Sequence, residues 1–465
     1  MSKSQHVQVA IVGGGVAGIT LALAFERLGV QYALLEAYDS LAPNLGASVG
    51  LLPNGQRILD QLGLLEEIEQ HTIPLQTWRH LDQKGELIST VNALSYYPSS
   101  FGYGGIFLER QKLQEIMAAK LRGGNGIIKT SARVKEILED ESGVTLMTKD
   151  GFTVTADLVV GADGVRSCVR NFIDLSQPIA EKVNSDKYIS TRFACVYGVS
   201  TPTPGISAGE CFSTYRESAA ILGFTGKDGI IFWFVFEDLG ESLVLSETPR
   251  YTAADIDGVC ESVGQFPIAP GVVFHDIFSK KKIAMKVALE EGVAKVWHTD
   301  RTVLVGDAAH KMVPNAAMGA NQAMESSACL VNELQKVIKS SSGGHLDPAS
   351  LRSALEDYAN LRTPRTSMIQ ERAGISCRAQ LRHGGPAAAV LRELPTLTDA
   401  DWLFRGFASL LDAPVLDGFP LTARGKFLEE AMATFKRRSR TRAEGSLKCS
   451  NEQLVGLSPI LVENA

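Results

Sequence analysis

Three glycines, Gly13, Gly15 and Gly18 in the run VGGGVAG, have the spacing that cradles a pyrophosphate. In such a turn the first glycine permits the tight bend and the second lets backbone approach the ligand. The third allows close packing of the helix behind, whose N-terminus adds positive potential. Glu36 closes the next strand, where a carboxylate can accept both ribose hydroxyls of an adenosine. Turn glycines are often only structural, but these have a strand before them, a helix after and an acid beyond. The motif indicates a dinucleotide without separating FAD from a nicotinamide nucleotide.

Two more constellations lie downstream. VVGADGVRSCVR (159–170) puts Asp163-Gly164 after a buried strand, followed by Arg166 and Arg170. A structural turn and a solvated arginine pair on one helix face are the plain readings. GDAAHKMVPNAAMGANQA (306–323) again sets Gly-Asp after a strand, then Pro314, then Gly319 opening a helix. The Asp307 carboxylate could accept hydrogen bonds from a polyol, and the backbone at Gly319, Ala320 and Asn321 could offer amides to a developing negative charge. Its plain reading is a helix cap. Arg192, in TRFACVYGVS, shares a strand face with Ala194 and Val196, which would set a cation among small or apolar neighbours. Either it reaches the sheet edge and meets solvent or a carboxylate, or it donates hydrogen bonds to a substrate oxygen that becomes an alkoxide or epoxide.

The elements that must hold these residues follow from periodicity. VQVAIV (7–12) is a buried strand, 17–28 a helix stopped by Gly29, and 31–35 a second strand. Short β-rich runs from Ile127 to Val160, broken by Asp150-Gly151, predict an antiparallel meander. Three further strands between 188 and 238 predict a second sheet. In GIIFWFVFE (229–237) alternation sends Phe232, Phe234 and Phe236 to one face and Trp233 and Val235 to the other. The strand Thr302–Val305 leads into the third motif, and a helix should run from Gly319 to about Lys339, with a break at 340–344. The resulting layout is a first nucleotide-binding part over 1–180, a β-sheet domain over 181–290, a returning part over 291–370, a helical region over 371–438 and a loose tail over 439–465.

Composition narrows the partners. The chain has 465 residues, 45% hydrophobic and 21% charged, with a net charge of -6, and so lacks the basic field that gathers nucleic acid. Seven scattered cysteines show no metal spacing, and no metal is assigned. The opening residues lack the apolar core of a signal peptide, and no run approaches the roughly 20 apolar residues that span a bilayer. These features lead us to expect a soluble, cytoplasmic protein with no transmembrane segment and a small-molecule ligand.

All three motifs, in this order, resemble the class A flavoprotein monooxygenases, the family of para-hydroxybenzoate hydroxylase, over about residues 7–370. Asp163, Gly164, Ser167 and Arg170 match that family's Asp-Gly fingerprint. FLERQKLQEIM resembles its helix start, which carries Arg110 over as a cofactor contact. GASVGLLPNG resembles the segment beside the isoalloxazine ring, which carries over Gly46 and Gly50. Ser326 stands where many relatives have Asp. LLPNGQRILDQLGLLEEI, GANQAMESSA and APVLDGFPLTARGKF are similar to the fungal natural-product branch, whose members epoxidise indole diterpenes and meroterpenoids or oxidise prenylated indole alkaloids of the paraherquamide kind.

The resemblance implies an α/β fold: a Rossmann-like FAD-binding domain, an inserted antiparallel substrate sheet and a helical C-terminal region. It implies noncovalent FAD, NADPH or NADH as reductant, and one oxygen atom delivered from O2 beside Pro314. For substrate it implies an indole C2=C3 bond, epoxidised and then rearranged to a spiro-oxindole, or alternatively a terpene alkene. The aromatic strands suggest that the substrate is bulky and largely apolar. An NAD-dependent dehydrogenase would have no use for the second and third motifs, and a flavin halogenase should carry a W-x-W-x-I-P segment that is absent here.

Overall fold

The computed structural model describes residues 5–44, 48–178, 187–340 and 345–446. Its first layer is a seven-stranded sheet. Strands Gly126–Lys129, Tyr32–Leu35, Gln5–Val12 and Thr153–Gly161 run parallel, with Thr302–Leu304 added to the same edge of Thr153–Gly161 that also takes Gly143–Thr148. Val9, Ala10 and Ile11 are fully buried, as expected of an interior parallel strand covered on both faces. Helix Val16–Leu28 stops at Gly29, whose φ of 71° suits glycine. The predicted hairpin at Asp150-Gly151 is present, joining antiparallel strands with Gly151 at φ 87°.

The second layer is an eight-stranded sheet in the order His310–Lys311, Lys281–Val293, Ser190–Ser200, Ile231–Val244, Ala219–Thr225, Glu210–Thr214, Thr77–Leu81, Leu87–Val91. It therefore takes strands from residues 77–91 as well as from 190–293. Alternation along Ile231–Val244 is as read from the sequence. Phe232, Phe234 and Phe236 join a core shared with the long helix Pro348–Gln380. Trp233 and Val235 face an opposite core, where Trp233 packs edge-on against Phe274. A bulge interrupts Ser190–Ser200 between Thr191 and Phe193, so residues before and after it do not share one simple alternation.

Helix Gly319–Ser340 lies between the layers and packs on Val16–Leu28, Pro53–Gln61 and Pro348–Gln380. Its fully buried Glu325 receives hydrogen bonds from Arg362 Nη1 (2.9 Å), Arg365 Nε (2.7 Å) and Asn54 Nδ2 (2.7 Å). Burial opposes ionisation there, yet the two guanidiniums prevail and hold the carboxyl down at about 2. Helices Gly384–Glu393, Asp399–Leu410 and Ala423–Ser446 complete the C-terminal region. The last continues to Ser446, past position 438 where the sequence turns polar and basic. Of the predicted break at 340–344, Ser340 still belongs to helix Gly319–Ser340, and 341–344, like the residues after 446, lie outside the described residues. Among the described residues no helix is long and apolar enough to cross a membrane.

Candidate active site

The glycine turn shows why each position needs its residue. Gly13 has φ 104°, and a Cβ there would lie 2.5 Å from the Ala162 carbonyl oxygen. A Cβ on Gly18 would lie 1.9 Å from the Gly13 oxygen, so helix and turn are in direct backbone contact. Gly15 is the opposite case: nothing lies within 4 Å of its missing Cβ, and it lines a cavity of about 700 Å³. Glu36 is anchored beside the turn, accepting hydrogen bonds from the Gly14 amide at 2.6 Å and the Tyr38 amide at 2.8 Å.

The same cavity is lined by Gly50, Arg110, Asp307, Pro314, Gly319 and Ala320. Gly50 arrives on strand Ser48–Leu51, which pairs with Ile106–Glu109, the strand that delivers Arg110 to the start of its helix. Asn321 acts from behind this wall. Its amide donates to the carbonyls of Gly50 (2.9 Å) and Ala317 (2.6 Å), and its oxygen accepts from the Leu52 amide (3.1 Å). The strand and the Ala317 loop are thereby clamped together, with Ala317 held at φ 52°. Asp307 does not cap a helix; Lys311 Nζ lies 2.8 Å from its Oδ2, and both side chains are partly exposed. Desolvation works against the Asp307 charge, but Lys311, His310 and Arg110 together keep its carboxyl below the usual range. Gly46 lies outside the described residues.

At the second motif one expectation changes, that of the arginine pair. Asp163 braces the start of helix Cys168–Ser176, accepting from the hydroxyl of its N-cap Ser167 and from the Cys168 amide at 2.8 Å, and it does not line the cavity. The two arginines do not share a helix face. Arg166 precedes the helix and lines the cavity, whereas Arg170 is buried and donates to the Ala308 carbonyl at 3.0 Å.

Arg192 is not the lone cation that strict alternation suggested. The bulge changes its setting, and Asp238 pairs with it, Nε to Oδ1 at 2.7 Å and Nη2 to Oδ2 at 3.3 Å. The cavity is lined from the same strand by Cys195 and Tyr197 and not by Arg192. Residues not singled out in the sequence also reach it. Lys286, its ammonium 2.7 Å from Glu237 and 4.6 Å from the centre of the Tyr251 ring, belongs to the sheet wall. Lys311 could have been found four residues after Asp307, the spacing of a local ion pair. Lys286 carried no such signal, because its partner lies on a strand remote in sequence.

The cavity thus joins two chemically distinct walls. One is backbone and charge: Gly15, Gly319 and Ala320 with Arg110, Asp307 and Lys311. The other is largely side chain and apolar: Tyr197, Phe234, Met285, Val287 and Leu289. The first fits a flavin dinucleotide, because it combines an open glycine position, a carboxylate for hydroxyl groups and cations for phosphate.

A fold of this kind with this cleft defines a FAD-binding protein, and residues 6–355 match the family model described as FAD binding domain. The chain belongs to this family and, within it, to the fungal FAD-dependent monooxygenases. It is 33% identical over 438 residues to the FAD-dependent monooxygenase atmM of Aspergillus flavus, covering 91% of this chain and 89% of that one. With the FAD-dependent monooxygenase paxM of Penicillium paxilli it shares 37% over 393 residues, 83% of this chain and 81% of that one. In fold it is similar to Klebsiella pneumoniae HpxO complexed with FAD and uric acid, with a TM-score of 0.70 and 21% identity over 88% of this chain and 97% of that one. The expected α/β class and flavin monooxygenase activity are both confirmed.

Proposed function

We propose that this monooxygenase uses NADPH or NADH and O2 to oxygenate the indole C2=C3 bond of a bulky, largely apolar prenylated indole alkaloid, the epoxide then rearranging to a spiro-oxindole. The observation that carries the reading is the apolar sheet wall facing the charged, glycine-rich one, which seats a polycycle against the cofactor without requiring an anionic handle. Bound FAD, held without a covalent bond, would supply the activated oxygen. Gly13, Gly15 and Gly18 shape its pyrophosphate turn and Glu36 accepts from its adenosine ribose. Arg110 and Asp307 hold its middle, and Gly50, Gly319 and Ala320 offer backbone near its ring, braced by Asn321, with Asp163 fixing the helix start nearby. Pro314 stiffens the loop beside the substrate. The reductant acts from outside, since the chain has a single G-x-G-x-x-G unit, and the enzyme works in the cytoplasm. The same wall accepts a terpene alkene, which is the second reading.

Within this proposal Arg192 is the candidate donor to the substrate oxygen, a role it can fill only by releasing Asp238 and turning into the cavity, which it does not line. What supports the role is the guanidinium's planar set of donors, which suits an oxygen that gains negative charge. Arg192→Ala should then keep flavin and its reduction by NAD(P)H but lose product formation by about 2–4 kcal/mol, as for an oxyanion donor. Unchanged product formation would leave Arg192 with its ion pair alone. The substrate itself is tested by incubating the holoenzyme with labelled O2, reductant and either prenylated indoles or terpenoid alkenes, followed by mass spectrometry. Labelled product from terpenoid alkenes only would reverse the order of the two readings.

A further inference from the structure

Three potential metal ligands converge away from the cleft. His6 stands near the start of strand Gln5–Val12, Asp157 on the neighbouring strand Thr153–Gly161, and His345 in the segment entering helix Pro348–Gln380. His6 Nε2 lies 3.4 Å from Asp157 Oδ1, His345 Nδ1 lies 3.0 Å from the same oxygen, and all three ligand atoms fall within 4.8 Å of one another. Two ligands bound to one metal at about 2.0–2.1 Å sit roughly 2.9–3.4 Å apart in octahedral or tetrahedral geometry, so these separations need little adjustment. None of the three lines the cleft.

The surroundings orient the donors. The Thr155 hydroxyl lies 3.4 Å from His6 Nδ1, which leaves Nε2 facing Asp157. The Leu346 amide donates to Asp157 Oδ2 at 3.0 Å, which leaves Oδ1 facing the imidazoles. This is the outer-shell support that fixes ring orientation and carboxylate direction at a metal centre. Asp157 is buried while both histidines are exposed, so the anion is fixed and the remaining coordination positions are open to water.

The geometry points to a surface site for one divalent first-row transition cation, with zinc-type ligand preference, held by His6, Asp157 and His345. Two imidazoles and a carboxylate suit Zn2+, Co2+, Ni2+ or Cu2+ rather than Mg2+ or Ca2+, which prefer all-oxygen shells. Its role is structural: the ion would tie the opening strand of the FAD-binding sheet to the entry of the long helix, more than three hundred residues away along the chain.

The test uses FAD-loaded protein without a histidine tag, stripped with a chelator and dialysed. Calorimetric titration with Zn2+ should give one site per chain, and Zn2+ should raise the thermal midpoint by linkage. His6→Ala and His345→Ala should each weaken binding by more than about tenfold, the least that loss of an outer-shell contact costs, and should abolish the shift while leaving the flavin spectrum intact. Both histidines are exposed, so these variants fold where Asp157→Asn would disturb a buried hydrogen bond. A Zn2+ isotherm in the double variant that matches the parent, or no binding by the parent, would overturn the site and leave the histidines as hydrogen-bond partners of Asp157.

Discussion

Two glycines of the same motif, Gly15 and Gly18, make opposite demands, and substitution separates them. Gly18→Ala drives a methyl group into backbone, so about 3 kcal/mol or more of stability should be lost, read as a lower unfolding midpoint of the flavin-free protein. Gly15→Ala meets only open space that the ligand would fill. Its apo-protein should unfold like the parent, while its flavin-to-protein ratio after purification drops; equal retention would place the pyrophosphate elsewhere. Glu36→Ala should weaken FAD by about tenfold to a hundredfold, the range for hydrogen bonds to a charged group, in a flavin fluorescence titration. At this scale the sequence was readable where the candidate site is built from consecutive residues, as in the glycine turn and around Asp307. It was not readable where a side chain's partner comes from another strand, as with Asp238 for Arg192 and Glu237 for Lys286.

Among the elements, helix Gly319–Ser340 carries the cavity at one end and a buried ionic hub in its second turn. Glu325→Gln would leave Arg362 and Arg365 buried without their counter-charge, a loss of about 3–5 kcal/mol in chemical unfolding. Because Asn321 and Glu325 lie one turn apart, flavin retention should fall with stability. A triple variant that also replaces both arginines with apolar residues should recover part of it; no recovery would mean that Glu325 acts through Asn54 instead. Strand and helix periods were legible because they repeat: the phenylalanine face of Ile231–Val244 follows directly from a period of two. Against Lys281–Val293 the bulge beside Arg192 adds one residue to its strand, and a count of two gives no warning of it.

For the molecule as a whole, two buried histidines govern the response to acid. Desolvation lowers His80 and His310 to about 4, so both stay neutral in the fold. Each folded value lies below the free one of 6.5, so their contribution is complete above that pH and is lost as the pH falls toward 4. The loss reaches about 3 kcal/mol for each. Glu325 follows below 4.5, since its charged form is the stabilised one, and its contribution fades toward about 2. Unfolding free energies measured from pH 8 to 4 should be level at first and then decline below 6.5; a level profile down to 4.5 would contradict the buried neutral imidazoles. The order in which strands enter the first sheet also matters on the ribosome. Thr153–Gly161 needs Thr302–Leu304 beside it, and at 5–20 residues per second that partner emerges roughly 7–30 s later. The nascent chain must therefore wait with an incomplete sheet edge. Chains truncated before that strand should be captured by chaperones and carry no flavin, however much FAD surrounds them.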